Sequence, residues 1–429
     1  MRIAYPVSAD SFSRISGWLE LTSPETDSEQ EKLSEDRSKN FGMKPLLLVF
    51  LTVFIDLVGF GLIIPVLPTY ARELHASDTT VGFLMASYSA MQFLFTPFWG
   101  RLSDRVGRRP ILLVSLFASC VGYMVWGFSS SLIMLFVARM IAGAGNANIA
   151  VAQAYVSDVT ALENRARGMG MVGAAFGLGF VLGPAIGGVC AGFGLSMIGF
   201  VAAAFSFVDF VLTFFFLPEP QNRTRAASER FGNGPGFYLD TVQDPSLRVS
   251  LAIFFIATFA FANMETTLVL LTHDQFKFGT NMNSWMFTYI GVLIVMVQGG
   301  LIHRLNKKFG EKRLIACGLA LSALGLMLTP ATTNIVVLGL ALAFLAIGSG
   351  VNNPSNQSML SKLAQTDRVG GVLGVGQSLA TLGRIAGPIV GASSYQHLGY
   401  SSPYWIGTVA MVVALALSFK LPDLNSKTE

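Results

Sequence analysis

Twelve runs of roughly 20 apolar residues each, the length that crosses a bilayer as a helix, recur along this 429-residue chain. Run length is the governing constraint. Backbone groups in hydrocarbon must be hydrogen-bonded internally, so a crossing is a helix or part of a closed barrel, and none of the runs alternates as barrel strands do. The predicted class is therefore an all-α integral membrane protein with twelve transmembrane helices. The runs cover 46–70, 80–99, 110–128, 132–156, 168–192, 195–217, 248–271, 284–303, 314–330, 334–360, 370–396 and 403–421. With 52% hydrophobic and 13% charged residues, a water-soluble fold is excluded.

Cytoplasmic loops retain Lys and Arg, and twelve crossings place both termini on one side. In that threading 25 of the 29 basic residues fall on the terminal side, so the predicted termini are cytoplasmic. Arg72 and Lys277 break the pattern, and Arg139 and Arg384 lie inside helices. The net charge of +4 reflects topology and implies no nucleic-acid partner. Cys120, Cys190 and Cys317 sit singly in apolar runs without metal-ligand spacing and read as small packing residues. Residues 1–42, polar and without the apolar core of a signal peptide, read as a disordered cytoplasmic tail, and Met43, just ahead of the first helix, is an alternative start.

Shifted by 204 residues, GLGFVLGPAIGG from Gly177 aligns without a gap on TLGRIAGPIVGA from Thr381. Gly179, Gly183, Pro184 and Gly187 meet Gly383, Gly387, Pro388 and Gly391, while Asn148 meets Asn352 and Gln153 meets Gln357. Matched amides on helices otherwise made of Leu and Ala indicate a duplication. The predicted organisation is two six-helix halves, 43–217 and 248–421, joined by a cytoplasmic linker at 218–247 and followed by a tail at 422–429. The glycines, spaced by four, are expected to bring helices of opposite halves into close approach.

Between the second and third runs lies GRLSDRVGRR, Gly100 to Arg109. It reads as a tight basic turn, with Gly100 and Gly107 permitting reversal and Arg101, Arg105, Arg108 and Arg109 holding it in the cytoplasm. A weaker copy, HRLNKKFGEK from His303, carries Lys307 where the first has Asp104. This turn resembles the signature loop of the major facilitator superfamily. FIDLVGFGLIIPVLP in helix 1, ARMIAGAG in helix 4 and AFGLGFVLGPAIGG in helix 5 resemble its drug:proton antiporter branch, close to bacterial tetracycline efflux pumps. NMETTLVLLTH and LGRIAGPIV look more like the animal tetracycline-transporter-like proteins, which are associated with organic anions. The resemblance implies a multi-pass protein of the bacterial inner membrane, acting as a monomer, with protons and an amphipathic or anionic small molecule as its partners. It implies no cofactor beyond the proton gradient.

Ionisable groups inside a bilayer cost about 2.5–3.5 kcal/mol each on insertion scales and mark function by default. Asp56 in helix 1 and Glu265 in helix 7 are candidates for proton uptake and release, and the resemblance assigns Arg139 to the proton-coupling position. Arg384 stands where the first half has Phe180. It suits an anionic substrate group or a permanent salt bridge to Glu265. Asn148, Gln153, Asn352 and Gln357 offer amides to a substrate cavity, or bonds between helices. The family reading sets Asp104 against the N-terminus of helix 11, with Asp158 pairing Arg105 or Arg108, as a latch stabilising the outward-facing state. Asp209 in helix 6 reads equally as snorkelling, packing or coupling and stays outside the predicted site.

Three functions compete: proton-coupled export, an organic anion uniporter or importer, and a non-transporting receptor or scaffold. An enzyme is not expected, since no phosphate loop and no nucleophile or metal constellation is present in the sequence.

Overall fold

The computed structural model describes residues 46–160, 165–220, 235–365 and 368–423. The predicted N-terminal tail with Met43, most of the linker and the end of the C-terminal tail lie outside the described residues. All regular structure within the described residues is helical. In chain order the long helices are α1 (Leu46–Ile63), α2 (Asp78–Val106), α3 (Arg108–Gly127), α4 (Leu132–Val159), α5 (Arg165–Ala191), α6 (Leu195–Phe216), α7 (Arg248–Phe276), α8 (Thr280–Phe309), α9 (Glu311–Ala331), α10 (Ile335–Leu363), α11 (Val369–Leu398) and α12 (Ser402–Ser418). A short helix, Pro235–Gln243, precedes α7.

Nine helices among the described residues are long and apolar enough to cross a membrane. The exceptions among the predicted twelve are α12, one residue shorter than α1, and α2 and α11, whose apolar content is diluted by Ser, Thr, Gln and Gly. Large apolar side chains such as Phe117, Ile133, Phe215, Val336 and Val409 face outward, as lipid contact requires.

Two boundaries differ from expectation. The first run breaks at Ile64–Val66, because Pro65 cannot continue the amide ladder, and Leu67–Glu73 resumes as a separate short helix with proline in its first turn. The basic turn is mostly not a turn. Gly100–Val106 completes α2 with open space around Gly100, and the chain reverses at Gly107 alone, where φ is +129°. Its repeat partner Gly310 has φ +76°, a region that an L side chain rarely adopts.

α3 packs on α4 and α6, and α4 on α2, while α9 packs on α10 and α12, and α7 on α11 and α12. Between these two sets, α2 runs along α11 and α5 along α8. One apolar cluster contains residues of both sets, among them Leu67, Tyr70 and Leu84 of the first and Leu268, Leu271 and Met286 of the second. Toward the face that carries the basic turn, separate clusters appear: Val49, Val53, Leu112 and Val156 in the first set, Leu251, Leu360, Val372 and Val375 in the second.

The glycine motif is corrected in one respect. The nearest contacts of its six four-spaced glycines are not on helices of the other set, although a Cβ on Gly188 of the same motif would lie 2.8 Å from Ser284 of α8. A Cβ on Gly183 would lie 2.7 Å from the Gly61 Cα of α1, and one on Gly387 2.6 Å from the Phe259 oxygen of α7. Gly179 and Gly187 likewise face α1, and Gly383 and Gly391 face α7. The spacing defines a smooth helix face, and the cover for that face comes from the same set. Across the sets close approaches are made by Gly82 of α2 against the Pro388 carbonyl of α11 and by Gly291 of α8 against the Phe180 carbonyl of α5.

Candidate functional site

Asp56 is 3% exposed at mid-length in α1. Opposite it α4 tightens into a 3₁₀ turn at Asn146–Asn148, which turns two amides toward one carboxylate. Asn148 Nδ2 donates to Asp56 Oδ2 at 2.8 Å. With the Asn146 amide oriented to satisfy all its neighbours, its nitrogen donates to Asp56 Oδ1 at 3.0 Å, and its oxygen accepts from the Tyr123 and Tyr88 hydroxyls at 3.0 and 2.8 Å. A carboxylate held this way is stabilised by donors alone. No cation lies within ion-pair distance of it among the described residues.

Arg139, 2% exposed on the same α4, does not pair with Asp56. Its guanidinium lies 4.5 Å from the centroid of the Tyr88 ring, a cation–π contact, and Nη2 reaches the Met85 carbonyl at 3.5 Å. Nε and Nη1 are buried without a partner among the described residues. Glu265 of α7 is half-buried and feels the charges of Arg384 and Arg139. The salt bridge from Arg384 to Glu265, one of the two readings of Arg384, is not formed among the described residues; Arg384 Nη2 donates to Thr381 Oγ1 at 2.8 Å. Phe180, at the equivalent place in α5, packs edge-on against Phe60.

The four predicted amides do not converge. Asn148 serves Asp56, Asn352 is buried with its Oδ1 unpartnered among the described residues, Gln357 bonds Asn353 in its own helix at 3.1 Å, and Gln153 is half-buried. Asn356, not anticipated, ties α10 to α7 by donating to the Ser250 carbonyl at 3.0 Å. Asp209 does not snorkel: it is 1% exposed and accepts from Thr52 Oγ1 of α1 at 3.0 Å. Cys317 is exposed, so it fills no packing gap, whereas Cys120 and Cys190 are half-buried.

At the basic face Arg108 Nη1 pairs with Asp104 at 2.6 Å and its Nε with Asp158 at 3.0 Å. Glu219 accepts from the backbone N–H groups of Arg108 and Arg109 at 2.8 and 2.9 Å, capping α3, whose own N-cap glycine has no side chain to do so. Arg109 reaches the Phe214 carbonyl and ring, and Arg101 and Arg105 are exposed. The structure therefore knots the turn within its own set, and Asp104 meets Arg108 instead of α11. The second copy holds the same knot with its charges exchanged. Glu311, 203 residues after Arg108, pairs with Lys362, 204 residues after Asp158, at 2.5 Å.

The opposite face is clasped. Arg72 Nη1 and Nη2 engage Asp274 of α7 at 2.8 and 3.2 Å, and Arg72 Nε engages Asp78 at the start of α2 at 2.9 Å. Burial works against a charged guanidinium here, but the two carboxylates outweigh it and raise Arg72 above its usual range. Tyr395 of α11 donates to Asp274 at 2.7 Å, and the Thr79 amide donates to Gln396 at 2.9 Å. Toward the basic face, by contrast, the apolar clusters of the two sets are separate.

Two helix sets, clasped at one face and carrying separate apolar clusters at the other, with Asp56, Arg139, Glu265 and Arg384 set inside the helices, have the architecture of a membrane transporter. The Major Facilitator Superfamily model matches residues 49–307 and 299–429, and the chain belongs to that family. It is 33% identical over 383 residues to a class H tetracycline resistance protein of Pasteurella multocida, covering 88% of this chain and 95% of that one. It is 29% identical over 374 residues to multidrug resistance protein 1 of Bacillus subtilis, covering 87% and 95%. The crystal structure of the human organic anion transporter MFSD10 (TETRAN) superimposes with a TM-score of 0.68 at 27% identity, covering 88% of this chain and 99% of that one.

Proposed function

We propose that this transporter is a proton-coupled exporter of amphipathic organic compounds, tetracycline-like or multidrug in range, working by alternating access as a monomer in a bacterial inner membrane. Its twelve crossings form two halves, 43–217 and 248–421, with a cytoplasmic linker at 218–247, cytoplasmic termini and no cofactor beyond the proton gradient. The gathering of basic residues at one face supports this orientation. The matched glycine registers on α1 and α7, with the exchanged ion pairs, support the duplication. In this frame the conformation is inward-facing and the Arg72 clasp closes the outer side.

One observation carries the proton reading: Asp56 is a buried carboxylate held by the Asn146 and Asn148 amides, with no cation in ion-pair range among the described residues. Uncompensated charge at membrane depth is costly, so its ionisation responds to whatever the rocking step brings near. Arg139, with two unpartnered donor nitrogens, is the mobile counter-charge. A second reading, transport of an organic anion, is favoured by Arg384, whose guanidinium has a hydroxyl partner and no carboxylate within ion-pair distance among the described residues. Likeness to an organic anion transporter supports it too.

Purified protein in liposomes with an imposed pH gradient tests both, using tetracycline, a cationic dye and an organic anion. Proton movement on adding one compound, with uphill accumulation of that compound, is the expected result. Flux indifferent to the gradient would leave the uniporter, and no flux at all would leave the scaffold.

A further inference from the structure

Asp209 is a buried carboxylate that the proposed mechanism does not yet use. It projects from α6 at 1% exposure, with Oδ1 accepting from Thr52 Oγ1 at 3.0 Å and Oδ2 buried without a partner among the described residues. Thr52 lies four residues before Asp56 on α1, so the two share a helix face. Thr213, one turn beyond Asp209, lies 3.3 Å from Thr52 Oγ1, three residues from the end of α6 at the basic face. The ionisable group that Asp209 feels is Asp56 itself, and among the described residues no cation lies within ion-pair distance of either. Like charges sharing a dry interior repel strongly, so the pair accommodates one negative charge more readily than two. Asp56 is held from its α4 side by the amides of Asn146 and Asn148, and Thr52, one turn away on α1, is bonded to Asp209.

We propose that Asp209 is a second proton-binding station, through which the proton of Asp56 passes toward the basic face. The proton leaves the Asp56 carboxyl and arrives on the Asp209 carboxylate, and the negative charge moves the opposite way. The Thr52 hydroxyl accepts one proton and donates another, ending unchanged, and Thr213 stands at the exit. This station rests on the proton-coupled reading above. A role confined to tying α6 to α1 makes a different prediction, because Asn reproduces the acceptor and the shape of Asp, whereas Glu reproduces the acid and not the shape.

The test compares wild type with Asp209→Asn, Asp209→Glu, Thr52→Val and Asp56→Asn. Purified protein is titrated by infrared spectroscopy in the carboxylic C=O stretch, which needs no substrate. Reconstituted protein is assayed for tetracycline exchange without a gradient and for accumulation with one. A protonated-carboxyl band should be absent in Asp209→Asn and displaced along the pH axis in Asp56→Asn. Gradient-driven accumulation should fall at least tenfold in Asp209→Asn with exchange kept within about twofold, Asp209→Glu should recover it, and Thr52→Val should slow it. Where Asp209→Asn fails to fold, Thr52→Val with Asp209→Glu decides by the same criteria. An unchanged band pattern, or Asn working as well as Asp while Glu fails, overturns the station and leaves proton coupling intact. Wild-type accumulation that ignores the pH gradient overturns both.

Discussion

Removing the Arg72 clasp should tip the protein toward its outward-open form. Arg72 meets Asp274 through both guanidinium Nη atoms and meets Asp78 through Nε, with side chains 23%, 41% and 19% exposed. Buried charge-assisted hydrogen bonds contribute about 1.5–3 kcal/mol and exposed pairs about 0.2–1 kcal/mol. A partly exposed bidentate pair falls between, at about 1–2 kcal/mol. At 1.4 kcal/mol per tenfold, Arg72→Gln should raise the ratio of outward-open to outward-closed protein roughly five- to thirtyfold. The reporter is a cysteine replacing Val269, which is 1% exposed and lines a cavity of about 270 Å³ beside Arg72 and His273. Cys120, Cys190 and Cys317 are replaced by Ser in this background. Labelling by a membrane-impermeant maleimide should accelerate by that factor in Arg72→Gln, with no further gain when Asp274→Asn is added. High salt should accelerate the parent protein toward the same rate, because the pair is within reach of screening ions. An unchanged rate in Arg72→Gln refutes the clasp.

Asp56→Asn and Arg139→Ala should each abolish gradient-driven flux while leaving folded protein in the membrane, and uphill transport by either variant removes that residue from the coupling mechanism. Arg384→Gln should weaken binding of organic anions about ten- to hundredfold, the equivalent of a lost charge-assisted bond of about 1.5–3 kcal/mol, and spare neutral compounds; equal losses for both would refute the anion reading. Breaking the Arg108–Asp158 pair, 11% and 4% exposed, by Asp158→Lys should cost about 3–5 kcal/mol. The exchange Arg108→Glu with Asp158→Lys and Asp104→Lys should regain at least half of the lost thermal stability in detergent, since Glu311 and Lys362, with Lys307 in the place of Asp104, show that the geometry accepts that polarity.

Helix positions and the buried charges were legible because each crossing needs a fixed length of apolar chain, and a carboxylate inside one stands out. Asp56 was found that way. Asn146 was not, although it completes the carboxylate's cage: matched amides across the repeat pointed to Asn148 and Asn352, and Asn146 falls opposite Gly350. The glycine registers predict a close-packing face, and residue spacing says which face is smooth and nothing about what covers it. Arg72 carried a signal in its violation of the charge asymmetry. Its partner lies 202 residues away, and only the assembled helices bring the two together. The latch expected between Asp104 and helix 11 is not made here, because Arg108 holds Asp104 and the apolar clusters of the two sets are separate at that face.

On the proposed duplication, the exchanged charges of the two knots bear on how the chain folds. Two halves descended from one sequence would present each other with near-interchangeable surfaces, and a newly made helix of one half could nestle against the wrong half. Were both knots Arg with Asp, such a mistake would be electrostatically silent. With one polarity reversed, α3 docking on α10 sets Arg108 against Lys362, and α9 docking on α4 sets Glu311 against Asp158. Each misplacement brings like charges together, so the native partnership is the one in which every charge of the two knots meets its opposite.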